Sequence, residues 1–151
     1  MELFHTSPVE ITVITNRGRF GEFLFFSSSI YTMTSAAPVV YRLELADDEV
    51  IEAGRLFFHG DAEKLSPMVA ELASRLSITE EDAEALIEES KSAHDIDSIA
   101  PEDAADASWD AQLFTARAAK LLGFRAVQVK DEQGAAWMVD MLGREAELVA
   151  A

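Results

Sequence analysis

The chain predicts an α+β fold, and three observations carry that reading. Short β-rich segments crowd the first sixty residues, helical periodicity takes over from Lys64, and Leu121–Val139 reads as a helix end followed by a tight hairpin. Runs of strands followed by runs of helices argue for segregated elements rather than a wound parallel sheet. With 151 residues, the chain reads as one domain, 1–151, long enough for a sizeable hydrophobic core.

Glu2–Ser7 is a first strand ending in the polar turn His5-Thr6-Ser7 before Pro8. Glu10–Thr15 is β-branched but of open class, and Asn16-Arg17-Gly18-Arg19 is a loop. Phe20–Phe26 holds four Phe in seven residues, which suits a buried strand and equally a pocket wall that receives a flat ring. Ile30–Ala37 is a short helix or turn, and Pro38–Leu45 alternates as a strand with Val39, Tyr41, Leu43 and Leu45 on one face. Val50–Phe58 is a further strand or edge segment ending at His59-Gly60, with His59 read as a loop residue.

Ser66 is the expected N-cap of a first helix, with Pro67 at N1 and Met68, Leu72 and Leu76 down one face. Thr79 caps a second helix, with Glu80, Glu81 and Asp82 in the turn where the helix dipole favours anions. Its apolar stripe is Ala83, Leu86 and Ile87, and His94–Ala107 is an acidic connector. Ser108–Leu122 is a third helix with Trp109, Leu113, Ala116 and Leu121 inward. Gly123 stops it, and Phe124–Lys130 forms a strand on which Val127 and Val129 alternate. Asp131-Glu132-Gln133-Gly134 turns the chain, Ala135–Val139 returns, and Gly143–Ala151 is a polar tail.

Composition excludes several chemistries. Without cysteine there is no disulfide, thiolate zinc site or thiol nucleophile. Histidines 5, 59 and 94 lack metal-ligand spacing, so no metal is expected. No apolar run approaches the roughly 18 residues of a membrane span, and a cytoplasmic protein is expected. The formal charge is −16, and residues 61–110 hold 15 acids against 3 basic residues. Such a chain is repelled by nucleic acid and attracted to basic protein surfaces, although the same acids also suit a solvated helical face.

Gly18-Arg19-Phe20-Gly21 is neither a P-loop nor a dinucleotide fingerprint, and Ser27-Ser28-Ser29 lacks a hydrolase context. What remains is an early His-Thr-Ser, an aromatic-and-Ser strand about twenty residues on, and a late carboxylate pair, Asp131-Glu132, at a strand end. A rigid hairpin is where a scaffold presents a reactive acid, yet Asp131 and Gly134 would also serve simply as turn formers.

That ordered triplet resembles the three motifs of ADP-ribosyltransferases. ELFHTS resembles the His-Gly-Ser/Thr strand, GRFGEFLFFSSS the segment that closes round nicotinamide, and RAVQVKDEQGAAWMV the late strand with its acid. A narrower likeness is to the anti-CRISPR ADP-ribosyltransferases that inactivate type I-F CRISPR–Cas surveillance complexes. It rests on MELFH, the Gly-x-Phe-Gly segment, Trp109-Asp110-Ala111-Gln112, Leu122-Gly123-Phe124, and Asp131-Glu132-Gln133-Gly134 with Trp137. The resemblance covers both ends; the acidic middle, 46–105, is unmatched.

By that resemblance the fold is an ADP-ribosyltransferase-like antiparallel β core with an acidic helical segment at about 62–107. The cofactor is NAD. The target is a side chain, asparagine by the family likeness, on the PAM-recognising Cas subunit, whose modification blocks target DNA binding. Asp131 takes the acid's role by position and Glu132 is its rival, because adjacent strand residues face opposite ways. His5, Thr6 and Ser7 would meet the adenosine ribose side of NAD, Phe25 or Phe26 with Phe20 and Ser27 the nicotinamide, and Arg17 and Arg19 the pyrophosphate. Thr6 stands where the family motif has Gly, and Phe where it has Tyr. Two other readings stay open: an acidic, non-catalytic DNA mimic, and a toxin-type transferase with another target.

Overall fold

Alternating apolar residues at both ends of the chain build two small sheets. The structure, a computed structural model, describes residues 1–7, 10–15, 21–29, 39–131 and 134–151, with Asp131 described in its backbone alone. Seven strands and three α-helices are formed by these residues: β1 (Glu2–Ser7), β2 (Phe23–Phe26), β3 (Val39–Glu44), β4 (Val50–Glu52), α1 (Ser66–Leu76), α2 (Glu80–Ile87), α3 (Ala104–Leu121), β5 (Ala126–Asp131), β6 (Gly134–Asp140) and β7 (Val149–Ala150).

One sheet has the order β1-β3-β7 and the other β2-β6-β5-β4. All pairings are antiparallel except β4 with β5, so the expected antiparallel core carries one parallel edge. That edge is open to a parallel partner because the three helices intervene between β4 and β5, giving the chain the crossover a parallel pair needs. The sheets are tied where Phe4 and Ser27 exchange both backbone hydrogen bonds, each 2.8 Å.

β6 is buried on both faces, and its alternation divides the core. Ala136 and Met138 face the helices, among Leu72, Leu86, Ile87, Phe114 and Ala118. Trp137 and Val139 face the first sheet, among Leu3, Phe26, Leu43 and Leu45. The four-stranded sheet is thus the middle layer. Removing a fully buried ring such as Phe114 would cost about 3–5 kcal/mol.

Several expectations are corrected. Only Val50–Glu52 is strand; Ala53–Phe58 winds into a 3₁₀ helix. Leu65 rather than Ser66 caps α1, and α3 begins at Ala104, inside the expected connector. Trp109 and Leu121, expected inward, are 45% and 49% exposed, while Ala104, Ala107, Ala111, Phe114 and Thr115 fill the buried face. The buried face is mostly alanine, with Phe114 as its large ring, and Trp109 and Leu121 fall outside that stripe. The tail is not loose either: β7 pairs with β3, and the Ala151 amide donates to the Val40 carbonyl at 2.9 Å. Thr79 does cap α2, accepting from the Asp82 amide at 3.1 Å. Glu10–Thr15 forms neither helix nor strand. The expected Asn16–Arg19 loop and the Ile30–Ala37 helix or turn lie outside the described residues.

Candidate active site

β1 presents His5 at the seam between the sheets. Its Nδ1 lies 2.6 Å from the Phe25 carbonyl oxygen, and its ring centroid is 5.5 Å from that of Phe26. A carbonyl only accepts, so Nδ1 carries the proton and Nε2 keeps its lone pair in the neutral ring. Burial holds the imidazole pKa below its ordinary 6.5, although the bond to Phe25 pulls the other way. Near neutral pH the ring is therefore an uncharged donor–acceptor of fixed tautomer.

The neighbouring residues separate by strand alternation. Leu3, His5 and Ser7 share one face of β1, and Thr6 lies on the other, so Thr6 would reach the His5 side through its backbone only. Ser7 is buried at the end of the strand. Phe26 packs between the sheets and is 2% exposed, whereas Phe25 points to the helical side and is only partly buried. Ser27 is buried, held by its exchange with Phe4, and its hydroxyl donates to the Ser29 carbonyl.

Trp137 stands opposite Phe26 in register. Its indole Nε1 is buried and meets no acceptor among the described residues. A buried N–H in that condition costs about 1–3 kcal/mol.

Asp131 ends β5 opposite Gly134, whose φ of +117° suits a residue without a side chain. The register puts Phe26 level with Trp137, Trp137 level with Gln128, and Asp131 three residues further on. Two strand spacings of about 4.8 Å and three rises of about 3.3 Å set its backbone about 14 Å from Phe26, on the same sheet. Arg17, Arg19, Phe20 and Glu132 lie outside the described residues.

Several cavities adjoin the sheet away from this seam. One of about 780 Å³ opens at the β4 edge, lined by Arg55, Phe58, His59 and Phe124 among others, and contains none of the catalytic or NAD-binding residues expected from the sequence. Another of about 380 Å³ lies against the end of β5, lined in part by Glu89, Lys91, Gln112, Thr115 and Lys130. Gln112 belongs to the Trp-acid-x-Gln element noted above. Among the described residues no cluster of side chains could hold a metal ion, and no helix is long and apolar enough to cross a membrane.

The family model described as Anti-CRISPR Type I-F ADP-ribosyltransferase AcrIF11 matches residues 1–145. The chain belongs to that family. It is thus an ADP-ribosyltransferase of anti-CRISPR type, and the match runs through the acidic middle that motif resemblance left unassigned. A solved structure titled "Crystal structure of an anti-CRISPR protein" is similar in fold, with a TM-score of 0.59 and 24% identity over 92% of this chain and 88% of the other. No curated protein sequence matches. ADP-ribosyltransferases in general draw the transferred group from NAD, and members of this family act against type I-F CRISPR systems.

Proposed function

We propose that this ADP-ribosyltransferase transfers ADP-ribose from NAD to a side chain, an asparagine amide, on the PAM-recognising Cas subunit of the type I-F surveillance complex. The observation that carries this reading is the seam itself: a neutral His5 of fixed tautomer beside Phe26, which pairs with Trp137 in the sheet whose strand β5 ends in Asp131.

The residues present fit NAD. The His5 Nε2 lone pair is suited to accept from a ribose hydroxyl. Of the two candidate stacking rings, Phe25 keeps exposed surface but faces the helical side, whereas Phe26 lies against His5 and is 2% exposed, so both stay candidates for nicotinamide. NAD supplies the ADP-ribosyl group, its ribose–nicotinamide bond breaking as a bond to the acceptor nitrogen forms. Asp131, or Glu132 beside it, would face the positive charge that develops on the ribose and take up the proton released by the acceptor. The product carries two negative phosphates where DNA phosphate must approach, so target binding would be blocked by charge and bulk.

The test is mass spectrometry of the purified type I-F complex after incubation with the protein, with and without NAD. A gain of one ADP-ribose on the PAM-reading subunit only with NAD supports the proposal. Asp131→Ala should abolish it; transfer retained in Asp131→Ala and lost in Glu132→Ala would move the role to Glu132. The rival reading, an acidic decoy for the complex's nucleic-acid channel, draws on the net −12 of residues 61–110. It requires full inhibition at stoichiometric protein without NAD.

A further inference from the structure

The C-terminal end of α2 is built against local preference. Ile87 is its last residue, and Glu89 occupies the left-handed position at φ +61°. The Ser90 amide donates to the Ala85 carbonyl at 2.9 Å and the Glu89 amide to the Leu86 carbonyl at 3.2 Å, a complete Schellman closure. Glycine is the residue suited to that place, and a carboxylate at a helix C-terminus also opposes the helix dipole. Two penalties are accepted here for one side chain.

That side chain has a definite target. The Glu89 carboxylate accepts from the Lys130 amide at 3.0 Å and 3.2 Å through its two oxygens. The amide needs a partner for a topological reason. β4 accompanies β5 only as far as the Glu52–Gln128 pair, after which the chain turns into the 3₁₀ helix Ala53–Phe58. Past Gln128 the edge of β5 has lost its neighbouring strand, and Glu89 stands where the next strand would have continued. The anchor itself is rigid: Thr115 of α3 donates its hydroxyl to the Ile87 carbonyl at 2.7 Å, fixing the end of α2 to the core. Glu89 is half-buried, and burial holds its carboxyl above the ordinary carboxylate range although the Lys130 amide and ammonium pull it down.

We infer that Glu89 is a positioning residue for the transfer reaction: it clamps the backbone of Lys130 and so fixes the strand end that carries Asp131. The inference rests on the reading of Asp131 as the acid. It acts on preorganisation, because a carboxylate held by a strand end with one unpaired edge would drift, and displacement of a catalytic group by about 1 Å can cost on the order of a hundredfold in rate.

Glu89→Gly and Glu89→Gln test it, assayed for NAD cleavage and for transfer. Glu89→Gly suits the left-handed backbone and removes the carboxylate, so the fold is retained while the clamp is lost. Its kcat should fall on the order of ten- to a hundredfold with KM for NAD within about twofold, and hydrogen exchange at the Lys130 amide should accelerate. Glu89→Gln keeps an acceptor oxygen and should restore most of kcat and the amide protection. Undiminished kcat in Glu89→Gly, with Asp131→Ala inactive, overturns the clamp alone. A Glu89→Gln variant as slow as Glu89→Gly despite a protected Lys130 amide also overturns it, by showing that the charge matters and not the position. Wild-type activity in Asp131→Ala overturns the assignment of the acid and, with it, the catalytic meaning of the clamp.

Discussion

The His5 Nδ1 and the Phe25 carbonyl oxygen, 2.6 Å apart, join β1 of one sheet to β2 at the edge of the other and decide the tautomer of the imidazole. The bond complements the Phe4–Ser27 exchange one residue away, so the seam is held by backbone on one side of His5 and by its own ring on the other. A ring fixed in this way presents Nε2 as an acceptor without reorganisation when a hydroxyl arrives.

His5→Phe should separate that chemistry from packing. The phenyl ring preserves the contact with Phe26, but both nitrogens are lost and the Phe25 carbonyl loses its donor. Loss of one ligand hydrogen bond and of tautomer control should lower kcat/KM for NAD on the order of ten- to a hundredfold, mostly through KM if the bond forms equally in ground and transition states. Steady-state kinetics at neutral pH checks it; an unchanged KM and kcat would remove His5 from the NAD site.

The same residue sets a pH dependence of stability with a definite sign. Burial lowers the folded pKa of His5 below 6.5, so the folded state binds its proton less readily than the unfolded chain. The stability it contributes is fully present above 6.5 and is lost as pH falls from there through the folded value. Denaturant melts between about pH 5 and pH 7.5 should show stability declining on the acid side, and the His5→Phe difference should shrink in the same window. A difference that is independent of pH would mean the imidazole is not desolvated as described.

How much of this was legible from residues follows from the kind of signal each feature leaves. β1, the Thr79 cap and the β5–β6 hairpin rest on local chemistry: alternation, a side-chain oxygen three residues before an amide, and a glycine where φ is positive. Each is readable within a few residues. The face of α3 was misread because its buried surface is mostly alanine, whose weak hydrophobicity loses to Trp109 and Leu121 in a periodicity argument although close helix packing requires the small residue. β7 left no pattern, since two residues are held by pairing with β3 rather than by their own preference. Glu89 was hidden in an acidic run. Its signal was positional: two acids, Glu88 and Glu89, at the end of a helix where the dipole disfavours them. At the seam, the partnership of His5 with Phe25 joins residues 20 apart, and the indole of Trp137, buried and without an acceptor among the described residues, becomes visible only with burial known.

Thr115 supplies a prediction about the scaffold and the strand end it supports. Its hydroxyl has one proton and two carbonyl neighbours, Ile87 at 2.7 Å and Ala111 at 3.0 Å. The shorter contact satisfies a carbonyl at the end of α2 that the helix itself leaves open. Thr115→Val is nearly equal in shape, so the loss is the hydrogen bond and the buried carbonyl it strands, about 1–2 kcal/mol. Thermal unfolding should fall by roughly 3–6 °C. Because Ile87 precedes the turn carrying Glu89, kcat should drop along with stability, whereas a comparably destabilising change far from both α2 and the seam should leave kcat unaltered below its melting range.

The acidic middle makes a prediction that distinguishes docking from solubility. Glu63, Glu80, Glu81 and Glu84 are exposed and line one cavity of about 520 Å³ beside the first turns of α1 and α2, on the helical side of the molecule. If this surface meets a basic face of the surveillance complex, the encounter is steered by charge and screened by salt, with a Debye length of about 10 Å at 0.1 M and about 3 Å at 1 M. Raising salt should then increase KM for the protein acceptor several-fold while hydrolysis of NAD in the absence of acceptor stays nearly constant. The Glu63→Gln, Glu81→Gln, Glu84→Gln triple variant should reproduce the low-salt loss and flatten the salt dependence, with only a small cost to α2 from the acid removed at its first turn. Equal salt sensitivity in the two assays, or a triple variant with the wild-type salt profile, would leave the acids as a solubilising face.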